Sequence, residues 1–218
     1  MRCIPKINSE YLQRMEDIIT TYSRPYDPDE PVVCIDEKPV QLLEETKPSL
    51  PMKEKYGKRI DYKYTRKGST NIFMGVEPKG GFRYVRIRST KKKKDFAEFL
   101  CEFSHQYPHS RHIHVICDNY ATHSLKCLQE VLGASHRLFT KLILHSTPKH
   151  ACWLDLAELE IGILSRQCLK RHIPSESALR SLFSAWTLEG NAHYACLSWS
   201  FSLDRASNQF KFTPSLLP

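Results

Sequence analysis

The chain has 218 residues, with 32 Lys and Arg against 24 Asp and Glu and a formal charge of +8; its pI is near 9.0. At 41% apolar and 26% charged residues, the composition is that of a globular chain and not of a disordered or fibrous one. No apolar run approaches membrane-spanning length and no apolar leader opens the chain, so a soluble cytoplasmic protein without a membrane partner is expected, and the positive excess favours a polyanion such as nucleic acid.

Residues 8–22 read as an amphipathic helix. Asn8 or Ser9 can cap it, and Tyr11, Leu12, Met15, Ile18, Ile19 and Tyr22 recur at helical spacing. The Pro-rich stretch from Arg24 to Pro31 ends it, and a short buried strand follows at about 32–36. Residues 37–70 are expected to be irregular, with Pro39, Pro48, Pro51 and Gly57. They carry basic residues interleaved with Tyr56, Tyr62 and Tyr64, a pattern that suits either a solvated linker or a nucleic-acid backbone.

Strands are predicted at about 71–77 and 82–88, joined by the turn signal Pro78-Lys79-Gly80-Gly81. The run Lys91 to Lys94 reads as a solvated turn before a helix at about 94–106, with DNA contact as the sharper alternative. A buried strand at 112–118 and a helix at about 123–132 come next. A strand at 141–145 leads to a long helix at about 153–170, and another helix runs from about 175 to 189. Residues 195–201 suggest a short strand, and the tail after Ser202 carries no clear pattern. Three early strands followed by alternating helices and strands predict an α/β fold with a mixed five-stranded sheet covered by helices on both faces. The element order is that of the ribonuclease-H-like fold.

Cysteine usage narrows the chemistry. The eight cysteines, at positions 3, 34, 101, 117, 127, 152, 168 and 196, include no C-x-x-C pair. That scatter argues against a zinc site and against a disulfide framework. Acid placement is more informative. Asp118 stands where a buried strand stops and a helix is about to start, and Asp36-Glu37 ends an earlier buried strand. Asp155, Glu158 and Glu160 lie in the first turns of the long helix. Each has a structural explanation alone, as a turn-former or a favourable charge at a helix N-terminus. Carboxylates brought close repel unless a divalent cation neutralises them, so together they suggest a hard-cation site with oxygen ligands. At about 100° per residue, Leu154, Ala157, Ile161, Leu164 and Cys168 form the buried stripe of that helix. Glu158 borders this stripe, with Gly162 and Ser165 on its own face leaving room for substrate. Glu160 points roughly 200° away, and Asp155, one turn earlier, is a rival.

Three stretches carry a resemblance. They are Val33-Cys34-Ile35-Asp36-Glu37, Cys117-Asp118-Asn119-Tyr120-Ala121-Thr122-His123, and Thr147-Pro148-Lys149-His150-Ala151-Cys152-Trp153-Leu154-Asp155-Leu156-Ala157-Glu158. Together they resemble the DDE transposases of bacterial insertion sequences related to mariner elements, over roughly residues 3–201. The resemblance implies Asp36, Asp118 and Glu158 as catalytic ligands of two Mg2+ or Mn2+ ions, and in-line displacement at a DNA phosphodiester during transposition. It also implies DNA as partner and a homodimer handling two element ends. Asn119 and His123 are expected to orient Asp118 or contact DNA, and Lys149 and His150 to touch phosphate. Glu37 alternates away from Asp36 and is expected to play a supporting role.

Two departures stand out. Such proteins usually carry Asn where Asp155 stands, and usually begin with a helix-turn-helix region that this chain lacks. The expected organisation is an N-terminal helix and linker (1–31), a catalytic domain (32–201) and a C-terminal tail (202–218). Two competing readings remain: a truncated, inactive relic that only binds DNA, and a Cys/His metal-binding module. A serine or cysteine hydrolase is disfavoured, because the chain has no G-x-S-x-G elbow.

Overall fold

The computed structural model describes residues 7–47, 52 and 63–214. Helix α1 (Ser9–Ser23) is capped by Asn8, whose side chain accepts the Tyr11 N–H. Strands β1 (Val32–Glu45), β2 (Tyr64–Glu77) and β3 (Phe82–Arg88) form an antiparallel meander. Helix α2 (Lys93–Ser104), strand β4 (Ile113–Cys117), helix α3 (Leu125–Leu132) and strand β5 (Leu142–Ser146) follow. Helices α4 (Leu156–Cys168), α5 (Glu176–Ala192) and α6 (Leu203–Phe210) complete the described chain.

The sheet order is β3-β2-β1-β4-β5. β4 pairs parallel with β1 and with β5, so the sheet is mixed, as expected. Alternation along the strands decides which side chains face which helices. Val33, Ile35, Phe73 and Val115 pack with Phe96, Phe99 and Phe103 of α2 and Leu128 of α3. Cys34, Val76 and Ile116 turn the other way, against Met15, Ile18 and Ile19 of α1 and Leu156 and Ala157 of α4. Ile72 and Met74, on that second face, pack with Ile161 and Leu164 of α4 and Leu179 and Phe183 of α5. Both faces are therefore covered, and the strand ends are what remain open for a site.

Three expectations need correction. Residues 37–45 and 64–70 are strand and not irregular, because β1 and β2 continue as a paired arm beyond the rest of the sheet. Past Ile35 the β4 pairing stops, so β1 has a free edge, where Pro39 is tolerated. The basic and aromatic residues Lys53, Lys55, Tyr56, Lys58, Arg59 and Tyr62 lie outside the described residues. Residues 195–201 form no strand; Trp199 and Phe201 instead pack beneath α1, Trp199 against Tyr22 at 4.7 Å between ring centroids. The stretch after 202 holds α6, whose Phe210 meets Tyr11 of α1 at 6.3 Å between centroids.

The lysine run is used locally. Lys92 stands at the N-cap of α2, its backbone N–H donating to Asp95 Oδ2 at 2.8 Å, Lys93 pairs with Glu130 at 2.7 Å, and Lys94 with Glu98 at 3.7 Å. His114 and His145 are buried and link α1 to the sheet. His145 contacts Asp17 at 2.7 Å and His114 at 2.9 Å, while Arg24 bonds His114 and reaches Glu30 at 2.6 Å. Burial, with the charges of Arg24 and His145 adding to it, pushes the His114 pKa down to about 4. His114 is thus a strand residue, as its sequence context suggests, whereas His112 lies just before β4, exposed and 3.3 Å from Glu30. Among the described residues no helix is long and apolar enough to cross a membrane.

Candidate active site at the carboxyl ends of the central strands

β1 and β4 are adjacent and parallel, with Cys34 opposite Ile116 and Ile35 opposite Cys117. The next residues in register are Asp36 and Asp118, so the backbone alone delivers two carboxylates side by side where open α/β sheets place their sites. A hydrogen bond from the Thr147 N–H to the Cys117 carbonyl, 2.9 Å, ties the β5 exit to the same rim. The chain then makes a 3-10 turn at Cys152–Leu154 and enters α4. Leu156 and Ala157 bury themselves against Cys34 and Ile116. That packing holds the first turn of α4 over the strand ends and brings Asp155 and Glu158 toward Asp36.

The electrostatics show this convergence. Burial pushes the Asp36 pKa up to about 7; the Glu37 N–H bond to Asp36 Oδ1, 2.8 Å, opposes the rise, and the fields of Glu37, Asp118 and Glu158 add to it. Asp155 is only 4% exposed and caps α4, its Oδ1 accepting the Ala157 N–H at 2.9 Å. Its Oδ2 is buried with no hydrogen-bond partner. Burial first, and then the Asp36 charge, hold the Asp155 carboxyl well above the usual carboxylate range. Glu158 is exposed. Asp118 is the exception: burial favours its neutral form, but the hydrogen bond and charge of His123, the Tyr120 N–H and Lys91 outweigh burial and lower its pKa.

The residues present fit a hard cation in their donor chemistry. They are all carboxylate oxygens, one of them a buried oxygen without a partner, and the positive charge of His123 and Lys91 is set beside Asp118 alone. They are not drawn tight: among the described residues no group of three His, Cys, Asp or Glu stands close enough to hold an ion.

His123, expected in part as a DNA contact, is instead buried. Its Nδ1 lies 2.5 Å from Asp118 Oδ1 and its Nε2 3.3 Å from Glu37 Oε2. Asn119, Lys149 and His150 are exposed beside the rim. Asn119 and Lys149 share a cleft of about 210 Å3 with Tyr11 and Arg14 of α1. His150 adopts a left-handed backbone, φ 64°, at the turn out of β5.

Glu160 turns away from this group, as helical spacing predicts, into a buried ion pair with Arg83. Ser165 does not simply leave space, since its hydroxyl accepts a hydrogen bond from Lys38 at 2.8 Å. Lys38 was missed in the sequence. It lies two residues beyond Asp36 on the same strand face, and that period-two relation was the available signal.

The sequence signature of the DDE superfamily endonucleases matches residues 31–180. No match to a curated protein sequence was found. Among solved structures, the Mos1 mariner paired-end complex with Mn superposes with a TM-score of 0.58 at 12% identity, covering 89% of this chain and 60% of that one. The pre-cleavage Mos1 transpososome gives 0.58 at 13% identity, with 89% and 60% covered. A simian T-cell lymphotropic virus intasome gives 0.50 at 13%, with 89% and 58% covered. This chain thus spans about three-fifths of the mariner chains it matches, and at these identities the likeness speaks to the fold. The fold is the ribonuclease-H-like core of transposases and integrases. With the signature covering most of the chain, the protein belongs to the DDE superfamily endonucleases.

Proposed function

We propose that this chain is the catalytic core of a mariner-related transposase that cuts and joins DNA phosphodiesters with Mg2+ or Mn2+, and that Asp36, Asp118 and Glu158 supply the ligands. One observation carries the reading: Asp36 and Asp118 are the next residues in register on the paired parallel strands β1 and β4, and the first turn of α4, which bears Glu158, packs through Ala157 in one cluster with Cys34 and Ile116 just before them. Unmatched negative charge at a strand-end rim is costly unless a cation shares it. Bound ions would activate a water or a 3′-hydroxyl and stabilise the leaving oxygen in an in-line displacement.

The chain's own residues divide the remaining work. Asp118 is ionised and held by His123. Asp36, whose pKa burial holds up to about 7, would give up its proton more readily when positive charge arrives. Glu158, exposed on the first turn of α4, is free to swing toward the other two. Asn119, Lys149 and His150 line the approach as phosphate anchors. Asp155 caps α4 beneath the site, its Oδ1 accepting the Ala157 N–H, and burial holds its carboxyl well above the usual carboxylate range. The solved mariner relatives support the partners proposed here, since they are described as paired-end complexes, with Mn, with Mg, and with a left transposon end. DNA as the partner and a homodimer holding two ends are part of this proposal.

One observation favours a second reading, a DNA-binding relic without activity: no set of three ligands is closed in the described residues. A nicking assay on supercoiled DNA separates the two. The catalytic reading predicts Mn2+-dependent nicks that Asp118→Ala reduces by at least about a hundredfold. The relic reading predicts salt-sensitive binding and no nicks with either metal.

A further inference from the structure

The group that holds Asp118 in place comes from the far side of the sheet. Along β1, Asp36 faces α4, whereas Glu37 projects beside Phe73 and Ile35 toward α2. There it meets His123, which lies in the 3-10 turn Ala121–His123 just after Asp118. One imidazole thus stands between two carboxylates: Nδ1 is hydrogen-bonded to Asp118 at 2.5 Å, and Nε2 lies at ion-pair distance, 3.3 Å, from Glu37 Oε2, a buried oxygen with no hydrogen-bond partner of its own among the described residues. The ring stacks on Phe96 of α2, with centroids 4.0 Å apart. Side-chain exposure is 2% for His123 and 7% for Glu37, against 45% for Asp118. The first two are therefore out of reach of a nucleic acid, and the third stands at the rim. Lys91 Nζ, 4.0 Å from Glu37 Oε1, closes the outer end of the chain of charges.

We propose that Glu37 is a positioning residue: through His123 it fixes the rotamer of Asp118 from the opposite face of the sheet. Carboxylate-histidine pairs behind a ligand are effective because a half-exposed carboxylate at a strand end has several rotamers, and a clamped donor selects one. Phe96 supplies the flat wall that fixes the ring plane, so Glu37 and Asp118 are linked without touching. The functional meaning of this link rests on reading Asp118 as an ion ligand; the link itself is testable without metal.

The test is a double-mutant cycle on the full metal-free chain, using Glu37→Gln and Asp118→Asn. The first is isosteric and the second lies at a half-exposed position, so both variants are expected to fold. Unfolding midpoints of the two single variants and the double variant are compared. The link predicts that the double variant loses clearly less than the sum of the two single losses, and that additivity returns in a His123→Phe background. Mn2+ affinity, read from the free-ion electron paramagnetic resonance signal, is expected to fall at least about tenfold in Glu37→Gln. Additive losses with His123 present, or unchanged Mn2+ affinity in Glu37→Gln, would overturn the proposal. Non-additive losses in a chain that binds no Mn2+ and nicks no DNA would keep the link and remove the nuclease reading.

Discussion

Replacing Glu160 by alanine is expected to cost about 3–5 kcal/mol of folding stability, the typical result of stripping one partner from a buried ion pair. Arg83 on β3 donates to Glu160 from Nε at 2.9 Å and from NH2 at 2.8 Å. The two side chains are 5% and 1% exposed. Without Glu160 the guanidinium stays buried, keeping only the carbonyls of Gly81 and Ala195 as acceptors. For a chain of this size the loss corresponds to a melting temperature lower by roughly 6–20 °C, measured by calorimetry or circular dichroism. Glu158→Gln, two residues away but exposed, is expected to stay within about 0.5 kcal/mol of wild type. If the pair serves stability alone, Arg83→Met combined with Glu160→Met recovers part of the loss, because apolar packing replaces a buried ion pair at little cost. A melting temperature for Glu160→Ala equal to wild type would show that this pair does not fasten α4 to β3.

Asp36→Asn is expected to do the opposite to the metal-free protein. A carboxyl whose folded pKa is about 7 against an ordinary 3.8 binds more protons folded than unfolded between those values. Wild-type stability therefore falls as pH rises through that window and the full cost is present above about pH 7. A shift of that size caps the cost near 4 kcal/mol; since Asp36 is only half-buried, about 1–2 kcal/mol is the expected gain for Asp36→Asn at pH 8, and none at pH 3. Urea midpoints at the two pH values measure it. Adding Mn2+ at about a hundred times its dissociation constant is expected to stabilise wild type by about 2.7 kcal/mol and to leave Asp36→Asn little changed. Equal midpoints for the two chains at pH 8 would mean that Asp36 is not a crowded carboxylate at all.

These two residues show what the sequence makes legible. Asp36 and Asp118 stand out because each ends a short run of β-branched residues, and parallel pairing then sets them side by side. Glu158 and Glu160 separate cleanly on helical spacing alone, and the structure sends Glu160 to Arg83. Other features depend on contacts that no local pattern encodes. Asp155 read as a rival to Glu158 one turn earlier, yet the close seating of Leu156 and Ala157 on Cys34 and Ile116 buries it as the cap of α4. Pro39 argued against a continuing strand, but the loss of β4 as a neighbour beyond Ile35 made it harmless. α6 has few apolar residues and gained its place from Ala206 and Phe210 packing near Tyr11. His123 was read as either an orienting group or a surface contact; only the stacking on Phe96 and the reach of Glu37 across the sheet distinguish them.

The most direct test of a shared ion site at the strand ends is a cleavage assay with Mn2+ comparing this chain with its Glu158→Gln variant. The variant keeps shape and fold but replaces one carboxylate oxygen donor with an amide. The account predicts DNA nicking by wild type and a loss of at least about a hundredfold in the variant with its melting temperature unchanged. Equal nicking by the two proteins would contradict it.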